Sequence, residues 1–197
     1  MKAIPLILII LLLGSFTKKT FSGNKSTKWV FTDNSSLSVN GTTNISKFSC
    51  KIVKYPKTDT VIISQDKNNS IILNGSINIA VLNFNCSNYM MTKELRKTLK
   101  EDQYPYLHVK FLSLKEIPRA NQKNSTICGQ VEITIAGVSK RFEISYQLAM
   151  DNNSMKLLGT QAINFSDFNL TPPKKMGKLV RANDQLAVVF NLNLKAI

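Results

Sequence analysis

The chain has 197 residues, 26 lysines and arginines against 12 acids, one histidine and three cysteines, giving a formal charge of +14. A chain of this length suits one domain with a real core. Four clustered nitrogen or sulfur ligands, as a structural zinc site needs, are excluded by the dispersal of Cys50, Cys86, Cys128 and His108. The lysines are scattered, and short runs such as Lys174-Lys175 argue against nucleic acid as a partner, leaving anionic lipid surfaces or polymers as the natural use of so basic an exterior.

Residues 1–16 place Lys2 ahead of an apolar run over 3–13, followed by Gly14, Ser15 and Phe16. The run is short of the roughly 20 residues that span a bilayer, and its layout predicts a secretory signal peptide over 1–21, with cleavage contexts at Ser15 and Ser22. Its removal takes away Lys2, Lys18 and Lys19 and no acid, lowering the formal charge from +14 to +11. The product is expected to be exported, periplasmic or secreted, with residues 22–197 forming one domain undivided by a Pro/Gly/Ser linker. The Asn-x-Ser/Thr triplets at Asn40, Asn124 and Asn169 read as a by-product of an Asn-rich composition rather than as glycan sites.

Alternating segments then follow almost without interruption, near 28–32, 36–40, 47–54, 61–64, 71–73, 76–86, 107–114, 155–165 and 185–194. Turn material separates them at Asn40-Gly41, Asn74-Gly75, Asp151-Asn152-Asn153 and Asn183-Asp184. Many short strands so punctuated predict an all-β sandwich or barrel. The apolar phase flips between Val81 and Leu82, which predicts a bulge or sharp bend. A single amphipathic helix is expected to begin at Thr92 as N-cap, with Met91, Leu95 and Leu99 on one face, and to stop before Tyr104-Pro105.

The clearest element is the hairpin over 127–150. Val131, Ile133 and Ile135 share one face of its first arm, and Phe142, Ile144, Tyr146, Leu148 and Met150 share one face of its second. Glu132, Thr134, Arg141, Glu143 and Gln147 take the opposite, wet side.

Cys50 and Cys86 both sit on apolar strand faces, which fits a disulfide between them and leaves Cys128 free and buried; three inert buried thiols fit the same placement. No catalytic arrangement is apparent. His108 faces away from Leu107 and Val109 onto the solvated side of its strand, no nucleophile elbow accompanies it, and Asp66, Glu101, Asp102 and Asp167 form no acid/base pair. Binding is what the residues leave open: a barrel of roughly eight strands can fill its centre with side chains or hold a small apolar ligand.

Several segments, in order, resemble the YceI-like family of exported proteins. They are residues 36–44, the helix from Met90-Met91 to Leu99 with Tyr104-Pro105 after it, residues 129–140, and Ile163-Asn164-Phe165-Ser166-Asp167-Phe168. Where the commoner form of that family carries a histidine and aspartates around the helix, this chain has Met90, Met91 and Lys93; with Cys50 and Cys86 it is similar to a cysteine-containing branch. The resemblance implies an antiparallel, roughly eight-stranded lipocalin-like barrel with one short amphipathic helix inserted. It also implies a non-catalytic carrier of a polyisoprenoid or isoprenoid quinone that requires no other cofactor. The wall of such a cavity would include Val131, Ile133, Ile135, Phe142, Ile144 and Tyr146 from the hairpin. Leu186, Val188, Phe190 and Leu192 would join them from the last strand. The alternative is a filled barrel whose basic exterior meets anionic membranes or polymers.

Overall fold

The computed structural model describes residues 26–52, 55, 58–119, 125–175 and 179–197. The expected signal peptide over 1–21 lies outside the described residues. Eleven strands form one continuous antiparallel arrangement with a single α-helix among the described residues. In chain order they are β1 (Thr27–Phe31), β2 (Ser36–Thr43), β3 (Lys47–Ile52), β4 (Thr60–Gln65) and β5 (Ile71–Ala80). After α1 (Tyr89–Thr98) come β6 (Tyr106–Leu114), β7 (Ser125–Ile135), β8 (Val138–Met150) and β9 (Ser154–Asn164). The two-residue β10 (Lys174–Lys175) and the long β11 (Val180–Ala196) complete the chain.

Eight strands close a lipocalin-like barrel in the order β1-β4-β5-β6-β7-β8-β9-β11, with β11 returning to β1 through Trp29 opposite Ala196 and Phe31 opposite Leu194. Higher up, the same edge of β11 carries β2, and β2 carries β3. The pair β1/β2 is therefore one broken strand running up β11, interrupted over residues 32–35. There Ser35 Oγ donates to the Asn193 carbonyl oxygen at 3.2 Å and accepts from the Asn193 amide at 3.0 Å, so the backbone groups left by the break are satisfied.

The β7–β8 hairpin has the expected faces. Its turn is Ala136-Gly137, with φ of 48° and 80°, the positive pair that a two-residue type I′ connection requires. On the wet side Glu132 lies opposite Arg141 and the two form an ion pair at 3.1 Å. Cys128 also lies on that side, free and half-buried rather than buried as expected, because Ile127 and Gly129 take the inward positions on either side of it.

Three expected turns are strand interior instead. Gly41 lies within β2, and the turn comes at residues 44–46. Asn183-Asp184 form a bulge in β11, where its register against β2 shifts between Ala182 and Leu186. Asn74-Gly75 sit inside β5, where the register against β6 shifts between Ile72 and Gly75. Glycine is needed at 75 for close approach: a Cβ there would lie 2.5 Å from the Thr60 carbonyl oxygen and 2.8 Å from Val61 Cα. The phase flip after Val81 is a 3-10 turn, Val81–Asn83. β3 is described to Ile52, and the expected continuation to residue 54 lies outside the described residues.

The helix starts earlier than the sequence suggests. Asn88 is the N-cap, its Oδ1 accepting from the Met91 amide at 3.0 Å, while Thr92 Oγ1 accepts from the Cys86 amide and donates to the Asn88 carbonyl oxygen. Asn88 offers the better cap because its side chain reaches the third amide of the helix directly. The lower half of the barrel is packed solid by Trp29, Phe31, Ile63, Ile71, Ile127, Leu148, Met155 and Leu194. Phe31 stacks on Phe111 across it with ring centroids 5.4 Å apart.

Because backbone atoms rather than a movable side chain surround position 75, Gly75→Ala should force β4 and β5 apart. A loss of about 1–3 kcal/mol is expected, read as a lowered urea midpoint with an unchanged slope.

Candidate functional site

The upper half of the barrel is built differently, because two strand pairs come apart there. On one side β4 pairs β5 only from Val61 opposite Gly75 downward, and β3, which continues above β4, makes no ladder with β5. On the other, β8 and β9 pair from Met150 opposite Met155 up to Tyr146 opposite Gly159 and no further, although both strands continue. Each opening is filled by a short helical piece.

The first is closed by the segment leading into α1. Cys50 of β3 is disulfide-bonded to Cys86, and the backbones of Lys51 and Asn85 exchange hydrogen bonds of 2.8 and 3.0 Å beside it. Arg96 of α1 reaches back to the Leu82 and Phe84 carbonyl oxygens at 2.5 and 3.1 Å. Leu95 and Leu99 are buried beneath the helix and Met91 is half-buried. The second opening is filled by a 3-10 turn, Phe165–Phe168, with Leu170 beyond it. Two acids hold that turn. Asp167 accepts from the Asn164 amide at 2.8 Å, and Asp184 accepts from the Ser166 amide at 2.9 Å and from its hydroxyl. These carboxylates therefore serve as backbone caps.

Between these closures lies a cavity of about 100 Å³. Its roof is Leu95, Leu99, Phe165 and Phe168, and its wall is almost entirely aliphatic and aromatic. Nine of the ten residues expected on the wall line it: Val131, Ile133 and Ile135 from β7, Ile144 and Tyr146 from β8, and Leu186, Val188, Phe190 and Leu192 from β11. Phe142 does not. It lies where β8 has left β9, and its ring packs on Phe168 with centroids 6.2 Å apart, so it holds the 3-10 turn in place instead.

The wall also includes residues that the hairpin and the last strand alone did not indicate. Ile77, Ile79, Leu107 and Val109 continue it through β5 and β6, and their alternation was legible. Gln161 also lines it, and nothing in the sequence marked an inward glutamine. Gly159 makes room on the same wall: a Cβ there would meet the Phe190 ring at 2.4 Å, and that ring packs on Tyr146 with centroids 5.4 Å apart. Burial pushes the Tyr146 phenol well above its ordinary value, so it stays protonated.

Among the described residues no group of three or more His, Cys, Asp and Glu side chains could hold a metal ion. His108 stands on the outer wall, its Nδ1 2.6 Å from Asn78 Oδ1.

A closed antiparallel barrel with an apolar interior beneath a single helix defines a lipocalin-like binding-protein architecture. Residues 25–194 match the YceI-like domain, and the chain belongs to that family. No curated protein matches it in sequence. Among solved structures, BcnA from Burkholderia cenocepacia is similar with a TM-score of 0.61 at 14% identity, covering 81% of this chain and 95% of BcnA. A polyisoprenoid binding domain from Saccharophagus degradans, implicated in plant cell wall breakdown, gives 0.56 at 11% identity over 86% and 98%. A mutant Campylobacter jejuni YceI protein gives 0.52 at 17% identity over 70% and 80%.

The Cys50–Cys86 bond closes a loop of 36 residues in sequence across the first opening. Replacing both cysteines by serine should cost roughly 2–4 kcal/mol of stability. Amide exchange at residues 89–98 should accelerate more than in the lower barrel, as hydrogen–deuterium exchange would record.

Proposed function

We propose that this protein is an exported, non-catalytic lipid carrier that holds a polyisoprenoid or isoprenoid quinone in the upper half of its barrel, for transport, storage or sequestration. The observation that carries this reading is the cavity itself: an apolar interior space closed by the two least continuous parts of the wall, the α1 segment and the 3-10 turn at 165–168. Family membership supports it, as does the fold shared with a polyisoprenoid binding domain. At about 100 Å³ the space is smaller than the roughly 300–1,000 Å³ of ordinary ligand pockets. A long lipid therefore has to widen it. Both openings supply the means, since side chains and short turns move there without breaking a strand ladder.

A second reading keeps the barrel filled and uses the exterior on an anionic membrane. It draws on the net charge and on the end of the barrel that carries α1. There Ile45, Tyr89 and Leu179 are 71%, 78% and 73% exposed, in the company of exposed Lys47, Lys93 and Lys97. Apolar side chains among lysines suit an interfacial contact.

Organic extraction of the purified protein followed by mass spectrometry should release a long-chain isoprenoid. Ile133→Trp, which places bulk in the cavity from a half-buried wall position, should cut lipid uptake by roughly tenfold or more while the protein still melts cooperatively. A protein that is always empty and takes up no long-chain lipid would sink the carrier reading. The membrane reading expects sedimentation with phosphatidylglycerol vesicles that weakens as salt rises and is lost in Ile45→Ser/Leu179→Ser; failure to bind at any ionic strength removes it.

A further inference from the structure

Three spaces follow one another outward at the α1 end of the barrel. The first is the cavity, roofed in part by the buried side chains of Leu95 and Phe165. The same two side chains bound a second, apolar space of about 40 Å³, which is closed on its other sides by Phe48 and Cys50 of β3, Met91 of α1 and Val180 of β11. Phe48 and Met91 in turn line an open groove of about 550 Å³ on the surface, in the company of Lys47, Cys86 and the exposed Met90. Along this line two pairs of side chains divide the cavity from solvent.

The outer pair is the one free to part. β3 has β2 on one side and, apart from the contact of Lys51 with Asn85, no strand on the other among the described residues, so widening beside Phe48 breaks no ladder. The backbone on both banks is nevertheless held. The Cys50–Cys86 bond joins β3 to the segment before α1, and the Asn88 side chain fixes the Met91 amide. The Phe48 ring rests on Gly41, where a Cβ would collide with it. What is left to move is the half-buried Met91 side chain, unbranched and turning about three bonds. The second opening is shut differently. Phe165 and Phe168 are buried, their turn is capped through Asp167 and Asp184, and Phe142 packs on Phe168, so passage there displaces backbone.

We propose that the gap between Phe48 and Met91 is the portal by which a ligand reaches the cavity, with Met91 as its movable side and Leu95 and Phe165 as the inner threshold. A passage opened by side-chain rotation suits a slender hydrocarbon chain that threads end first. The proposal rests on the lipid-carrier reading and adds a route to it. Because a portal is crossed in both directions, its side chains set rates of entry and exit together and leave the affinity alone.

The test uses delipidated full-length protein and one probe, geranylgeraniol esterified with N-methylanthranilic acid, whose fluorescence rises in apolar surroundings and is followed by stopped flow. Met91→Ala should speed both association and dissociation by about tenfold and hold Kd within about twofold. Met91→Trp should slow both, and Phe142→Ala, at the other opening, should change them by less than about twofold. Each variant is first shown to melt cooperatively. Rates that ignore residue 91, or that respond to Phe142→Ala instead, overturn the portal and leave the carrier reading standing. Faster dissociation alone in Met91→Ala makes Met91 a ligand contact and overturns it too. Failure of wild type to take up the probe overturns both.

Discussion

The barrel depends on the hydrogen bonding of β11. One edge of this strand pairs β9 along its length, and the other carries β2 above and β1 below. Closure through β1 removes the free edge that an open sheet of this size would expose. It also ties the two ends of the described chain together, since Trp29 and Ala196 are register partners. Everything at the upper end follows from the fact that this closure is achieved through β1 alone: β2 and β3 continue upward from the closed ring without a partner on the far side.

The upper end therefore has a surplus of strand and a shortage of ladder, and the chain resolves it with short helices. Each filler is pinned by polar groups at its ends and contributes apolar groups at its middle. Arg96 and the Cys50–Cys86 bond fix α1 while Leu95 and Leu99 point inward. Asp167 and Asp184 fix the 3-10 turn while Phe165 and Phe168 do the same. Such a roof is stable without being continuous with the sheet, and an element of this kind can open at lower free energy than a strand whose ladder must break.

How much of this was legible depended on whether local pattern or tertiary approach decided the outcome. The hairpin was readable because its alternation, its wet face and its turn all agree. Gly75, Gly41 and Asn183-Asp184 were misread as turns because the same residues that permit a turn also permit a bulge or a close strand contact. Only the neighbouring strands decide which. Thr92 was a reasonable cap by type, but Asn88, one residue before the helix, reaches the free amide. Phe142 carried the right periodicity for the wall and was diverted because β8 parts from β9 above Tyr146, an event set by the register of two strands and by no residue in the hairpin. Gln161 was invisible for the opposite reason: a polar residue at an inward position breaks the pattern by which inward positions are found.

The cavity is apolar even where Tyr146 and Gln161 belong to its wall, so it is the hydrocarbon parts of these two side chains that face it. Both belong to strands that part at this level, and the missing Cβ of Gly159 leaves room for the Phe190 ring beside the Tyr146 ring. The lower half, closely packed with buried side chains, supplies the stability that allows a discontinuous roof above it. Close packing and cavity are thus separated along the barrel axis, and the parting of β8 and β9 above Tyr146 marks the boundary between them.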